Sequence, residues 1–139
     1  MSPEDLELFH KSLNRCTANE EFLETFYELF KKTSREVREK FARVNWFRQK
    51  RMLVASFHMM MVAEEEGTDG NPHLESVART HSKQGRDIPP HLYDHWLSCL
   101  LQAASQYDSQ WDERSDAVWR KMMEKGIRYM TARYEGPTV

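Results

Sequence analysis

Apolar residues recur along most of this chain at spacings of three and four, the period of helices buried by one face. Ser2-Pro3-Glu4-Asp5 reads as a helix start: a capping Ser, a Pro in the first turn, and acids near the positive dipole end. Leu6, Phe9, Leu13 and Cys16 follow at helical spacing. Phe22, Phe26, Leu29 and Phe30 form the next apolar face, and Thr17 with Glu20 predicts a capping box ahead of it. Thr33 with Glu36 predicts another, opening a short helical piece that ends near Phe41.

A longer helix is predicted from Trp46 to Ala63, with Trp46, Leu53, Phe57 and Met60 on one side, and Glu64 to Asn71 as a loop. Asn71-Pro72 then starts a short helix that carries Leu74, Val77, Ala78 and His81 on a single face. Ser82 to Asp87 is polar, contains Gly85, and reads as a second loop. Pro89-Pro90 is expected to open a long helix bearing Tyr93, Trp96, Leu97, Leu100, Leu101 and Ala104. After a break around Asp108–Asp112, a last helix carries Trp119, Met122, Met123, Ile127, Met130 and Tyr134. No segment alternates with period two and no repeat is present, so the expectation is one all-α domain over 1–139, of about seven helices.

Composition agrees with that pattern. The 139 residues are enough to bury a real core, and five Gly and five Pro are too few for a turn-rich β fold. A net charge of −2 argues against general affinity for nucleic acid or anionic lipid. That average hides an asymmetry: Lys31 to Arg51 holds nine basic residues against two acidic ones, a local +7. Such a stretch is usually a solvated helical face. Its functional reading is a basic rim for an anionic cofactor edge or an acidic redox partner. Cys16 and Cys99 show no paired spacing, and the acidic N-terminus has no apolar run, so two reduced thiols in a cytoplasmic protein are expected. The most apolar stretch, Met52 to Ala63, is too short to span a bilayer, so no membrane is expected.

His81 is the first candidate for chemistry, because it closes the apolar face of its helix. A His in that position is more often a satisfied core residue, yet neutral imidazole is also the usual axial ligand of haem iron. Tyr27 follows Phe26 beside an apolar face, and Gln49 and Leu53 lie four apart on one side of their helix. A Tyr hydroxyl and a Gln amide beside an apolar cavity would be hydrogen-bond donors to a ligand, although each considered alone reads better as an ordinary boundary residue. His91 and His95 are spaced for a metal but lack a third ligand and read as surface residues. His58 reaches the same region only if its helix turns, and Met59-Met60-Met61 reads as core filler.

Taken in order, Phe26-Tyr27, Phe41, Gln49, Leu53, His81, Pro90 and Tyr93 resemble a bacterial single-domain globin, similar to the haem domain of flavohaemoglobins. The most specific pieces are Leu74-Glu75-Ser76-Val77-Ala78-Arg79-Thr80-His81 and Ile88-Pro89-Pro90-His91-Leu92-Tyr93, and the likeness runs from Ser2 to Tyr134. The resemblance implies a globin fold around haem b (iron protoporphyrin IX), with His81 as the iron ligand and Phe41 packed on the porphyrin. It implies Tyr27 and Gln49 as distal donors, Leu53 at the edge of the gas cavity, and Tyr93 beside His81. Val77 and Leu97 are further expected against the cofactor. The ligand implied is oxygen, with NO and CO as alternatives.

Two features depart from the flavohaemoglobin pattern. The segment from His81 to Tyr93 is longer, and the position that matches the acidic partner on the last helix holds Tyr134. Four uses therefore compete: oxygen binding or carriage, NO dioxygenation fed by a separate reductase, gas sensing through a partner, and a haem-free helical interaction module. Reversible oxygen binding, with high affinity and slow release, is the leading expectation. The sequence speaks to no particular oligomeric state.

Overall fold

The computed structural model describes residues 1–136, and these fold as seven α-helices with no strand among them. The helices are α1 (Pro3–Thr17), α2 (Glu21–Lys31), α3 (Arg35–Lys40), α4 (Trp46–Glu66), α5 (Pro72–His81), α6 (Leu92–Tyr107) and α7 (Glu113–Ala132). No helix among the described residues is long and apolar enough to cross a membrane.

Local side chains start most of these helices. Ser2, Ser34, Asn45 and Asn71 each accept a hydrogen bond from the backbone N–H three residues on, at 3.0 to 3.2 Å. Asp112 and Ser115 form a reciprocal capping box on α7. Each such cap stabilises a helix start by about 1 kcal/mol.

Several boundaries differ from the sequence pattern. Thr17 does not cap α2; it ends α1 and its hydroxyl donates to the Leu13 carbonyl at 2.8 Å, while Glu20 starts α2 without a side-chain cap. Thr33 likewise bonds back to Phe30, and the cap of α3 is its neighbour Ser34. Helix α4 continues through Glu64–Glu66 and stops at Gly67, whose φ of +69° suits a glycine helix end. Pro89 and Pro90 form a turn whose carbonyls accept from Leu92 and Tyr93, so α6 begins at Leu92. Tyr134 lies beyond the end of α7.

The main core joins α1, α2, α4, α6 and α7 around Phe9, Phe22, Phe26, Phe57 and Trp119, all fully buried. Phe9, Phe22, Phe57 and Trp111 all meet the Trp119 ring, at centroid distances of 4.9 to 6.4 Å. A polar network closes one side. Trp119 Nε1 donates to Ser12 Oγ, Ser12 donates to Asp108, and the Arg15 guanidinium meets the same carboxylate. Burial pushes the Asp108 carboxyl up, but hydrogen bonds from Arg15, Ser12 and the Gln110 N–H outweigh this and hold it below the ordinary value. Cys16 and Cys99 are free and buried.

A second, smaller core joins Ala63, Leu74, Val77, Ala78, Tyr93, Tyr129 and Met130. It ties α5 to α4 and α7. Between the two cores lies a cavity, and that gap is the feature that positions chemistry in this fold.

Candidate functional site

The cavity has a volume of about 100 Å³ and is partly open to solvent. Its lining is mostly apolar with a few polar groups, the make-up of a site for a largely apolar ligand. Helix α4 contributes Gln49, Met52, Leu53, Ser56 and Met60, one stripe at steps of three and four. Tyr27 and Phe30 enter from α2, Val37 and Lys40 from α3, and Phe41 caps the end of α3. Val77 and His81 enter from α5, Tyr93 and Trp96 from α6, and Met123, Gly126 and Met130 from α7.

Seven of the sequence candidates thus line one space: Tyr27, Phe41, Gln49, Leu53, Val77, His81 and Tyr93. Leu97 is different. It is half-buried against the main core, while Trp96, one residue earlier, lines the cavity. The histidines set aside on sequence stay outside the cavity. His91 and His95 are exposed, with His91 Nε2 against the Glu36 carboxylate at 2.6 Å, and His58 faces His10 at 6.4 Å between ring centroids. No group of three or more His, Cys, Asp or Glu suited to a metal occurs among the described residues.

His81 sits in the last turn of α5, and its Nδ1 lies 2.8 Å from the Val77 carbonyl. A carbonyl oxygen can only accept, so Nδ1 carries the proton and Nε2 offers a lone pair. Burial lowers the pKa of the ring, more than the Val77 carbonyl raises it. Burial thus favours the neutral imidazole and the Val77 bond selects its tautomer, the form that ligates a metal. The loop after α5 holds the helix end. Arg86 N–H donates to the Thr80 carbonyl at 2.7 Å, and Ile88 N–H to the His81 carbonyl at 3.0 Å. A Cβ at Gly85 would come within 2.4 Å of the Thr80 carbonyl oxygen, so this return requires glycine. Asp87 takes a positive φ of 53° there, and Tyr134 donates its hydroxyl to the Asp87 carboxylate.

Tyr27 and Gln49 form a pair on α2 and α4: Gln49 Nε2 donates to Tyr27 Oη at 3.2 Å. The Tyr27 oxygen therefore accepts from Gln49, and its own proton is left to donate elsewhere. Burial raises the Tyr27 phenol well above its ordinary pKa, so it stays protonated and a donor. Tyr93 is pushed up to about 12 for the same reason. The Tyr27 ring is fixed by edge contacts with Phe41 and Trp46, at centroid distances of 5.6 and 5.0 Å.

Charge is confined to the edge. Among the described residues Lys40 and Arg86 are the only charged ones that line the cavity, and Lys40 Nζ donates to the Arg86 carbonyl at 3.4 Å. An apolar slot with one neutral imidazole and two cations fits a flat apolar macrocycle that carries a metal and peripheral carboxylates. The sequence reading missed Met52, Ser56, Met60 and Trp96. The first three share the Gln49–Leu53 stripe, so their spacing was the available signal. Ser56 is polar but satisfied, donating to the Met52 carbonyl at 2.8 Å with His73 Nε2 at 3.2 Å.

Comparison with protein-family models matches residues 23–130 to the family described as Globin. Among solved structures, the chain is similar to a protein of Pseudomonas aeruginosa PAO1 described as structurally highly homologous to a human hemoglobin. The two share 31% identity and a TM-score of 0.87, over 96% of this chain and 99% of that one. Comparison with curated protein sequences finds no match.

Proposed function

Because the chain belongs to the globin family of haem-binding proteins, we propose that it binds oxygen reversibly, with haem b held by His81 in the cavity between its two cores. When bound, haem supplies a ferrous iron that takes one diatomic ligand, whether oxygen, CO or NO. His81 Nε2 is the ligating atom, since Nδ1 is committed to Val77. Phe41, Leu53, Val77 and Tyr93 make the apolar walls, and Lys40 and Arg86 offer cations to the cofactor carboxylates. The Tyr27 hydroxyl donates to a ligand that draws negative charge, and Gln49 holds that hydroxyl in place. A donor of this kind favours oxygen over CO, because only the former gains much from it. The observation that carries the reading is the convergence of His81, with a free Nε2, and the Tyr27–Gln49 pair on one apolar cavity.

One further observation favours binding over turnover. The second nitrogen of His81 meets a backbone carbonyl, and Tyr134 engages Asp87 instead of the imidazole. A carboxylate on that nitrogen would make the imidazole a stronger electron donor and support oxidative chemistry; a neutral carbonyl does so less.

Optical absorption of the purified protein tests this, taken in the ferric form, then the ferrous form, then the ferrous form under oxygen. A Soret band that shifts to a stable spectrum under oxygen and disappears in His81→Ala supports the proposal. A protein that takes up no haem, even on reconstitution, overturns it.

A further inference from the structure

The basic stretch and the cavity meet on α4. Its inner stripe lines the cavity through Gln49, Met52 and Leu53, while Phe47, Arg48 and Arg51 on its outer side are exposed. Arg43, in the turn before α4, is exposed as well. Phe47 is 70% exposed, and no other large hydrophobic residue is recorded as exposed among the described residues. The Arg51 guanidinium lies 5.4 Å from its ring centroid. Elsewhere in the stretch three cations are paired with carboxylates: Lys31 meets Glu28, Arg35 meets Glu39, and Lys50 meets Glu24. Among the described residues Arg43, Arg48 and Arg51 meet no carboxylate within ion-pair distance, so three guanidinium groups without a carboxylate partner lie within four positions along the chain of one exposed aromatic ring.

We propose that the surface of Arg43, Phe47, Arg48 and Arg51 docks the acidic face of a flavin-bearing electron-donor protein. The proposal rests on the haem-binding reading above. A globin binds oxygen only as the ferrous form, so each spontaneous oxidation must be reversed by an electron from outside. A partner seated on this surface is separated from the cavity by one helix, about 10–12 Å across with its side chains, a short path for an electron. Unpaired guanidinium groups steer an acidic partner and bind its carboxylates in bidentate fashion, and Phe47 supplies an apolar anchor at the centre. A lipid surface is the poorer match, because interfacial segments bury a row of apolar side chains and this surface offers one. The step balances simply. One electron leaves the flavin hydroquinone anion, which becomes the neutral semiquinone, and the ferric iron becomes ferrous with no proton moved.

The test uses the haem-loaded protein and an acidic bacterial flavodoxin as the probe. Dithionite first reduces wild type and the triple variant Arg43→Glu, Arg48→Glu, Arg51→Glu, and CO is then added to each. If the wild type then shows no ferrous–CO Soret band, the haem reading fails and docking is not at issue. With that band present, two readouts follow: binding of labelled oxidised flavodoxin by fluorescence anisotropy, and the second-order rate of haem reduction by flavodoxin hydroquinone. The expected result is binding and reduction weaker by about tenfold or more in the variant at low ionic strength. The wild-type rate should fall as salt rises and the variant rate should hardly change. Phe47→Ser should weaken binding without altering the salt slope. Equal binding and equal salt slopes in wild type and the charge-reversed variant overturn the proposal. So does binding of wild type to vesicles of phosphatidylcholine and phosphatidylserine with none to flavodoxin.

Discussion

Gln49 donates to the oxygen of Tyr27 rather than into the cavity independently, which makes a specific claim about how the two share their work. Tyr27→Phe removes the hydroxyl from a residue only 3% exposed, so little water takes its place. A hydrogen bond to a charged or strongly polarised acceptor contributes about 1.5–3 kcal/mol, so oxygen should leave about ten- to a hundredfold faster. Gln49→Leu removes a neutral bond that orients Tyr27, worth about 0.5–1.5 kcal/mol, and should speed release by up to about tenfold. If Gln49 acts through Tyr27, the double variant should release oxygen no faster than Tyr27→Phe alone. The assay is stopped-flow displacement of oxygen by CO in all four proteins, with the deviation from additivity giving the coupling. A full Gln49→Leu effect in the Tyr27→Phe background would refute the reasoning, since Gln49 would then be an independent donor. No effect from Tyr27→Phe would remove the distal assignment altogether.

Three other outcomes follow from the packing. Asp108→Asn removes the charge that Arg15 and Ser12 share and should cost about 1.5–3 kcal/mol, lowering Tm by several degrees in thermal melts at neutral pH. Because the Asp108 pKa is lowered in the fold, its contribution is present above the ordinary carboxylate range and lost as pH falls through the lowered value. Wild type and variant should therefore converge in acid; parallel melts across the whole pH range would exclude the linkage. Asn71→Ala removes both the cap of α5 and the 2.9 Å bond from Asn71 Nδ2 to the Met59 carbonyl. It should cost about 1–2 kcal/mol in urea unfolding and hasten haem transfer to an acceptor apoprotein, and an unchanged transfer rate would mean that α5 is held by packing alone. Removing haem should lower Tm and expose amides of α5 before those of α1 and α2, because the smaller core meets the larger one across the cavity. Hydrogen exchange that protects α5 as well as α1 would contradict this.

What the sequence made legible is what neighbouring residues decide. Helix α5 was readable to its ends because Asn71, Pro72 and the Leu74–His81 face are all local signals. Thr33 and Ser34 stand side by side, and either hydroxyl can cap. Thr33 bonds back to Phe30 and leaves the role to Ser34, which packing settles and spacing does not. The end of α4 misled for another reason. Three glutamates at a helix C-terminus oppose the dipole, so a loop was the local expectation. Glu64 is held there by Lys125 Nζ at 2.9 Å and by the chain's first amino group at 3.7 Å, partners that no local pattern reveals.

The same division separates the parts of the pocket. Gln49 and Leu53 could be paired from their spacing, yet that spacing also marked Met52 and Ser56, which a count of apolar positions does not distinguish from ordinary packing. Lys40 and Arg86 lie forty-six positions apart and meet only because Lys40 Nζ reaches the Arg86 carbonyl. Each candidate alone was ambiguous, since a His on an apolar face is usually core. The order of Tyr27, Phe41, Gln49, Leu53, His81 and Tyr93 along the chain carried more than any one of them. A cavity must be closed by several helices at once, so its residues have to recur on successive helices in register with the fold. Phe47 obeys the opposite logic. It adjoins Trp46, and adjacent residues on a helix point roughly 100° apart. Trp46 packs against Phe41 and Tyr27, which leaves Phe47 outside among arginines, where packing gives no reason for an aromatic ring and an interface does.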